Sequence, residues 1–253
     1  NKLTVAFLDV GQGDAILITS PSGNQLLIDG GPNGAVSSKL SEVMPFYDRS
    51  IDMVLMTHPD SDHVNGLVDV LRRYKVNVFI DAGAVSGNPA YGEAEKIIAD
   101  KSIKSLDLTK GYRINLDKNI YLDILSPPIA GENFKDNDGS LVARLVYGNT
   151  SFLLTGDMEK NMEKFLTTNG TNIKSDVLKV GHHGSRTSTS LEFLGRVSPK
   201  YAVISVGKNN KYGHPHRETL SALVQLGVSA LQTDQLGTIV FESDGEGLLQ
   251  KSR

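Results

Sequence analysis

The sequence contains no cysteine, which excludes disulfide bonds and structural zinc sites built on thiolates. It has no run of about 18 consecutive apolar residues, so no membrane-spanning helix is predicted. Neither sign of charge dominates, and the net charge of −3 gives no general attraction to nucleic acid or to an anionic membrane. A polyanionic partner would therefore have to be bound by a local basic patch or by a metal ion.

The two halves of the chain show the same order of predicted elements, with several strands first and then alternating strands and helices. Alternating apolar residues at 2–10 and 15–20 predict an opening β-hairpin, and the last predicted strand is 237–243. Residues 84–118 are less regular and predict one helix, at 92–100. The repeated order predicts an α/β fold of two sheets packed face to face with helices outside, as one domain over residues 1–253.

The stretch THPDSDHVNG follows an apolar run that predicts a buried strand, and it leads into residues with helical apolar spacing. Four potential metal ligands lie there within six positions: His58, Asp60, Asp62 and His63. The loop that leaves a strand and enters a helix is where α/β proteins bind ligands. A capped helix with exposed histidines is the alternative. Four potential ligands in so short a stretch favour a metal site.

Two later strands also end in candidate ligands. LLTGDMEK places Asp157 after an apolar strand, where this residue either caps the next helix or binds a metal ion. DVLKVGHHGSRTS places His182 and His183 between two glycines, which allow the backbone to approach another group closely. A single buried histidine is usually part of the core, whereas two adjacent ones at a strand end favour a functional site.

A fourth strand leads into SVGKNNKYGHPHRET, a loop rich in cations and hydrogen-bond donors. Its polar residues suit the binding of phosphate oxygens: Lys208, Asn209, Asn210, Lys211, Tyr212, His214, His216 and Arg217. The alternative is a solvated loop that starts a helix. All six histidines of the chain lie in these loops at strand ends, and none lies between positions 64 and 181.

The motifs DVGQGDA, THPDSDH, NDGSLVARL, LLTGD, LKVGHHGS and YGHP occur in this order along the chain. Together they resemble the metallo-β-lactamase superfamily and, within it, the soluble C-terminal domain of ComEC-type DNA-uptake proteins. The resemblance extends over roughly residues 3 to 240. It implies a four-layer αββα sandwich, in agreement with the two-sheet prediction.

The resemblance also implies two divalent metal ions and assigns their ligands. One ion would be held by Asp62, His63 and His183, because the final histidine of the superfamily immediately precedes a glycine. Asp157 would bridge to a second ion, which His58 would also bind. This sequence departs from the superfamily at the second ion, where Asp60 replaces a histidine.

The lone middle histidine of the superfamily is absent as well, and NDGS stands in its place. The candidate replacement ligands there are Asn137, Asp138 and Ser140. Carboxylate and amide oxygens in place of imidazoles disfavour Zn²⁺ and favour Mn²⁺ or Mg²⁺. We therefore expect Mn²⁺ as the working ion.

The reaction implied by the resemblance is hydrolysis of a phosphodiester, with Asp62 and Asp157 at the metal ions and His182 or His214 protonating the leaving oxygen. The candidate contacts to flanking phosphates are Lys208, Lys211, Tyr212 and Arg217. Asp29 would support the ligand loop through hydrogen bonds. Asp14 is either a turn residue or an active-site contact.

The implied substrate is DNA, single-stranded in particular, degraded during uptake by a bacterial protein that is fused to or associated with a membrane channel. The domain would then lie on the extracytoplasmic side. Aromatic residues make up only 6% of the chain, so an extended base-stacking surface is not evident. Two alternatives remain: a hydrolase of small phosphodiesters such as choline-phosphate esters, and a catalytically weak binding or regulatory module of a channel.

Overall fold

The computed structural model describes residues 2–128 and 136–251, which form two β-sheets with helices on their outer faces. The strands are β1 (Leu3–Phe7), β2 (Ile16–Thr19), β3 (Gln25–Ile28), β4 (Ser50–Leu55), β5 (Lys75–Asp81), β6 (Lys104–Asp107), β7 (Arg113–Asp117), β8 (Ile120–Ser126), β9 (Val142–Tyr147), β10 (Thr150–Leu154), β11 (Val177–Lys179), β12 (Tyr201–Ile204), β13 (Ser229–Gln232), β14 (Ile239–Ser243) and β15 (Leu248–Lys251). The helices are α1 (Ala35–Val43), α2 (Ser61–Arg73), α3 (Pro89–Asp100), α4 (Lys160–Thr168), α5 (Leu191–Val197), α6 (Arg217–Gln225) and α7 (Thr233–Leu236).

Each sheet is antiparallel on one side and parallel on the other. The first sheet has the strand order β15-β14-β1-β2-β3-β4-β5-β6, in which the pairs from β3 to β6 are parallel. The second has the order β13-β12-β11-β10-β9-β8-β7, in which the pairs from β10 to β13 are parallel. Strands with antiparallel neighbours come first in each half of the sequence, as the repeated pattern predicts.

Buried apolar residues form the layers of the fold. Alternate residues of a strand point to opposite faces of a sheet. In β1, Val5 and Phe7 therefore face the second sheet, whereas Ala6 packs under the outer helices. Between the sheets, the ring of Phe241 meets those of Phe7 and Phe152 edge-on, at centroid distances of 6.1 and 5.9 Å.

Two further apolar clusters join each sheet to its own helices, α1 to α3 on one side and α4 to α6 on the other. The predicted αββα sandwich is thus confirmed. The prediction that residues 1–253 form one domain stays a prediction, in keeping with the core that both sheets share. Within the described ranges, no helix has the length and apolar character needed to cross a membrane.

Sequence patterns missed three strands, all at or next to the edges of the sheets. The prediction of 237–243 as the last strand is wrong, because β15 follows it and pairs with β14. Strands β6 and β7 lie within 84–118, where only a helix was predicted. Edge strands are short and polar because one side faces water, and this composition hides them from pattern analysis.

The loops that follow β3, β4, β10, β11 and β12 contain the predicted ligands and the basic stretch. Parallel strands present their carboxyl ends at one edge of a sheet, and the two sheets face each other. The five loops can therefore meet at one end of the sandwich, which is where α/β folds bind ligands.

A buried carboxylate lies near this end of the first sheet. Asp81 ends β5 and is in register with Asp107 of the edge strand β6. Burial raises the pKa of Asp81 to about 6, and the neighbouring Asp107 adds to this effect, although Gly83 and Tyr91 donate hydrogen bonds to Asp81. The folded protein therefore binds the Asp81 proton more tightly than the unfolded chain does.

Because the pKa of Asp81 rises on folding from an ordinary value of 3.8, its contribution to stability is present below pH 4 and is lost as the pH rises through 6. Asp81→Asn should remove this loss. The free energy of unfolding of the variant, relative to that of the native chain, should therefore be higher at pH 7.5 than at pH 4.5 by on the order of 2 kcal/mol. Urea unfolding at both pH values measures it.

The matched control for this experiment is Asp100→Asn, which neutralises an exposed carboxylate at the end of α3. It should leave the pH dependence of unfolding as it is in the native chain. An Asp81→Asn variant whose stability followed the same pH dependence as the native chain would contradict the assignment of a raised pKa to this group.

Candidate metal centre

The buried carboxylate of Asp29 organises the first two ligand loops. Its Oδ1 accepts a hydrogen bond from the backbone N–H of Thr57 at 2.8 Å, and its Oδ2 accepts one from the Thr57 hydroxyl at 2.7 Å. Oδ2 also accepts from Nδ1 of His63 at 2.8 Å. His63 is fully buried, and this bond leaves its Nε2 free to face a ligand.

Four side chains from three loops meet beyond His63. Ligand atoms of Asp62, His63, Asp157 and His183 all lie within 4.8 Å of one another. The Asp157 carboxylate lies between the two imidazoles, 3.3 Å from Nε2 of His63 and 3.4 Å from Nε2 of His183. Nε2 of His183 is also 3.3 Å from Oδ2 of Asp62. The structure thus brings together the four residues predicted to bind or bridge the first metal ion.

Several inward-facing atoms of this cluster are buried without a hydrogen-bond partner. They are Nε2 of His58, Nε2 of His63, Nε2 of His183 and Oδ1 of Asp157. A buried polar atom left unpaired costs about 1–3 kcal/mol, so an accumulation of them needs a physical reason. A divalent cation supplies that reason, because imidazole nitrogens and carboxylate oxygens aimed at one point are metal ligands. The residues present therefore fit a metal ion.

A second, more open group of candidate ligands adjoins the same Asp157 carboxylate. Nε2 of His58 is 3.9 Å from Oδ2 of Asp157 and 3.6 Å from Oδ2 of Asp60. The Thr57 hydroxyl lies 3.0 Å from Nδ1 of His58 and holds the ring. The Asp60 side chain is 59% exposed, so this position is less enclosed than the first.

The candidate replacement ligands have other partners in the structure. The Ser140 hydroxyl accepts a hydrogen bond from the Asp157 backbone N–H at 3.3 Å. Nδ2 of Asn137 lies 3.2 Å from Nδ1 of His182 and 3.4 Å from a Glu159 oxygen. The side chain of Asp138 lies outside the described residues. Ser140 therefore fixes the loop of the Asp157 carboxylate, and Asn137 contacts His182 and Glu159 beside it.

The turn from Gly181 to Gly184 points its two histidines in different directions, and both have positive φ angles, 46° and 51°. His183 is buried and donates from Nδ1 to the Ser205 carbonyl at 2.9 Å, which aims its Nε2 into the cluster. His182 is 26% exposed, with Nδ1 3.1 Å from Glu159 and Nε2 3.9 Å from Asp157. A side chain at Gly181 would collide with the Met158 carbonyl, so glycine is needed there.

A buried ion pair that no sequence pattern predicted lies next to the candidate ligands. Nζ of Lys179, at the end of β11, lies 2.9 Å from Oδ2 of Asp14, and both side chains are almost fully buried. The other Asp14 oxygen is 3.6 Å from Nδ1 of His183, and the Asp14 backbone N–H donates to the Asp62 carbonyl. The signal for this pair was a lone lysine in the apolar strand VLKV. It links the first loop of the chain to two ligands.

The basic loop after β12 reaches the cluster through His214, whose ring centroid is 5.7 Å from that of His182 and 6.4 Å from that of His183. The Tyr212 ring stacks on His214, and Lys211 lies over Tyr212. The two other predicted phosphate contacts, Lys208 and Arg217, are exposed and make no ion pair within the described residues. The loop thus extends from the candidate metal centre to solvent.

Charge in the centre explains the pKa shifts there. Burial opposes ionisation of Asp62, but its 3.3 Å contact with Nε2 of His183 and the charge of His63 hold its pKa at about 2. Burial likewise opposes ionisation of His183, yet Asp157 and Asp62 raise its pKa to about 9. The pKa of Asp157 lies well below its ordinary value because His183 and His63 outweigh burial. Clustered carboxylates therefore draw positive charge into this space, which a divalent cation can supply.

The chain matches a known protein family over most of its length. The sequence profile of the metallo-β-lactamase superfamily matches residues 8–208. The chain belongs to this superfamily. The resemblance that the motifs indicated is thereby confirmed, and metal-dependent hydrolysis is the chemistry that this membership supports.

Curated relatives confirm the likeness to competence proteins. The chain is 34% identical to ComE operon protein 3 of Bacillus subtilis, over 94% of its own length and 32% of that protein. It is 32% identical to the competence protein ComA of Neisseria gonorrhoeae, over 95% of its length and 32% of that protein. The chain therefore spans about a third of these relatives. Their sources indicate a bacterial protein.

Solved structures support the fold. Igni18, a metallo hydrolase of Ignicoccus hospitalis, superposes with a TM-score of 0.61 at 14% identity, over 95% of this chain and all of that one. A diphosphatase of the PhnP family superposes with a TM-score of 0.53 at 14% identity, over 96% of this chain and 99% of that one. At such identities the likeness shows the metallo-β-lactamase fold alone.

The pair of Lys179 and Asp14 leads to a stability prediction. Lys179→Met leaves a buried carboxylate unpaired, and Asp14→Asn leaves a buried ammonium unpaired, so each change should cost about 3–5 kcal/mol. The double variant buries no net charge at this position. It should therefore be more stable than the sum of the two single changes implies, by about 2 kcal/mol.

Urea unfolding of all four proteins in chelator measures this coupling without any contribution from a bound metal ion. Additive losses from the two substitutions would show that the two charges do not depend on each other, against the 2.9 Å contact between them.

Proposed function

We propose that this chain is a metal-dependent phosphodiester hydrolase, and specifically a nuclease that degrades DNA. The observation that carries the proposal is the convergence of Asp62, His63, Asp157 and His183, with buried atoms of the last three unpaired. The basic loop that extends from this cluster supplies donors suited to phosphate. Hydrolysis of a diester needs both features, one to activate water and the other to hold an anionic substrate.

Two divalent ions are proposed, with Mn²⁺ favoured over Zn²⁺ and Mg²⁺ because oxygen ligands predominate at the second position. Asp62, His63 and His183 would hold the first ion, Asp157 would bridge, and His58 and Asp60 would hold the second. Such a pair lowers the pKa of bound water and neutralises the phosphate. Asp29 and the Ser205 carbonyl keep the two imidazoles in position for this role.

The proton donor to the leaving oxygen is proposed to be His182. Its Nδ1 is held by Glu159, so its Nε2 faces the space beside Asp157. His214 is the weaker candidate, because burial and the neighbouring His183 lower its pKa to about 4. At neutral pH its imidazole is therefore uncharged, and the N–H that it keeps is too weak an acid to protonate the leaving oxygen. With Tyr212 it instead forms a stacked wall next to the centre.

The basic loop is proposed to hold the phosphates on either side of the scissile bond. Lys208, Lys211 and Arg217 would supply the positive charges, and Tyr212 would supply a ring face for a base. The relatives named for competence support DNA as the substrate, single-stranded DNA in particular, during uptake. Association with a membrane channel, and a place on the extracytoplasmic side of the membrane, belong to the same proposal.

The direct test is metal-dependent cleavage. After treatment with chelator, the chain should cut end-labelled single-stranded DNA when Mn²⁺ is restored, and less well with Mg²⁺ or Zn²⁺. Asp62→Ala removes a ligand and should lower turnover by at least about 10³-fold, as expected when the activation of water is lost. The measurement is the initial rate of fragment formation on gels.

Glu192→Ala is the control, since Glu192 is exposed on α5 outside the ligand cluster and should cut as the native chain does. No DNA cleavage with any of the three ions would overturn the nuclease proposal. Hydrolysis of bis-p-nitrophenyl phosphate would then point to the small-ester enzyme, and its absence to the binding module.

A second test concerns Glu159, which is proposed to position His182. Glu159→Gln weakens the contact that orients the ring, so kcat on DNA, whose leaving alkoxide needs a proton, should fall by about 10²-fold. Turnover of bis-p-nitrophenyl phosphate should change little, because nitrophenolate leaves without a proton. The KM for both substrates should stay near that of the native chain. Steady-state kinetics on the two substrates gives the comparison.

Glu192→Gln, an exposed glutamate on α5, is the matched control and should leave both activities unchanged. An equal loss on both substrates would instead place Glu159 in support of the metal centre as a whole. That outcome would remove the argument for His182 as the proton donor.

A further inference from the structure

A basic groove lies at the end of the first sheet opposite to the candidate metal centre. It runs along the amino ends of β4, β5 and β6 and the last turn of α2. Two cavities of about 740 and 480 Å³ adjoin there, with Arg49, Arg73 and Tyr74 in the lining of both. Strand β4 has six residues, which places the groove roughly 20 Å from the ligand loops at the other end of the strand.

Five cationic side chains line this groove: Arg49, Arg72, Arg73, Lys75 and Lys101. Serine hydroxyls and the Asn77 amide complete the polar lining, and none of the lining residues is acidic. Positive charge is thus concentrated here although the whole chain has a net charge of −3.

Part of this charge is already paired. Arg72 lies 2.7 Å from Glu93, and Lys101 donates to the last carbonyls of α2. Arg49 and Lys75 are exposed and make no ion pair within residues 2–128 and 136–251. Two cations that line the groove are therefore available, with a third, Arg73, held only by a long 3.9 Å contact to Asp69.

We propose that this groove binds the phosphodiester backbone of a nucleic acid strand. Guanidinium, ammonium, hydroxyl and amide groups are the donors that proteins use on phosphate oxygens, and they read no base sequence. The two adjoining cavities make this basic surface concave, which fits a strand better than a flat anionic membrane. Binding here is sequence-independent and dominated by the release of counterions.

An exposed pair of aromatic rings favours a single strand. Phe46 and Tyr47 come just before Arg49, are 85% and 74% exposed, and contact each other edge-on with ring centroids 5.4 Å apart. Rings exposed beside a basic groove can stack on unpaired bases. A duplex keeps its bases stacked on each other and would leave these rings unused.

The groove has a consequence for catalysis that rests on the proposed function. It would bind the part of a long DNA strand that lies away from the candidate metal centre. Only strands long enough to reach from the groove to the metal centre gain from it. Short diesters use the centre alone. The groove therefore makes the nuclease favour long single strands through KM and leaves the chemical step unchanged.

The test measures binding in Asp62→Ala protein, so that no substrate is cut. Adding Arg49→Glu and Lys75→Glu should weaken the binding of a fluorescein-labelled 30-nucleotide single strand at least 10-fold in fluorescence anisotropy. The slope of log affinity against log salt should flatten by about 1.4, for two lost phosphate contacts on single-stranded DNA. The milder pair Arg49→Gln and Lys75→Gln should shift affinity in the same direction, which separates charge loss from misfolding.

Lys118→Glu and Lys164→Glu form the matched control, since both are exposed and lie outside the groove and the metal centre. An equal loss of affinity in this control would overturn the proposal, because net charge alone would then explain binding. Unchanged DNA affinity in the groove variant, together with lost binding to phosphatidylglycerol vesicles, would also overturn it and identify a membrane-facing surface.

Activity measurements distinguish a failure of groove binding from a failure of the proposed nuclease function. With Asp62 intact, the groove variant should hydrolyse bis-p-nitrophenyl phosphate as fast as the native chain and show a raised KM only for long strands. If the native chain hydrolyses no diester, the proposed function fails while groove binding still stands on the anisotropy result. Equal KM values for long strands in both proteins would overturn the role of the groove in catalysis.

Discussion

The carboxylate of Asp29 is the contact on which the rest of the centre depends. It joins the end of β3 to Thr57 at the end of β4 and to His63 in the first turn of α2. One side chain thereby fixes the spacing of two strands and the orientation of a ligand imidazole. Because Asp29 is fully buried, water cannot compete for these bonds. The loop with four candidate ligands is therefore held firmly to the sheet.

Buried polar contacts also position candidate ligands on the second sheet, where other groups make them. The Ser205 carbonyl, after β12, holds His183, and the pair of Lys179 and Asp14 ties β11 to the first loop of the chain. Each sheet therefore positions candidate ligands through a buried polar contact, in addition to its apolar packing. The cluster between them collects unpaired nitrogen and oxygen atoms that a divalent cation can satisfy together.

The sequence predicted the parts of the molecule in which local pattern and tertiary structure agree. Strand ends with His58 to His63, Asp157 and His183 were readable because histidines and aspartates seldom gather in loops after apolar runs unless they bind a ligand. Lys179 and Glu159 were missed, because their roles depend on partners far along the chain or across a turn. The groove was missed for the same reason: Arg49, Lys75 and Lys101 come from three separate segments and are neighbours only once β4, β5 and β6 pair.

The two candidate metal positions differ in how far they are enclosed, and this difference affects how such an enzyme would bind its substrate. The first position is enclosed by Asp62, His63 and His183, whereas the second rests on His58, the shared Asp157 and an Asp60 that is mostly exposed. Ser140 and Asn137 have other partners. A second ion would thus find few fixed ligands and an open side, which oxygens of a bound phosphate can fill. Under the proposed function, substrate and second ion bind together, so the open position couples metal loading to the arrival of a strand.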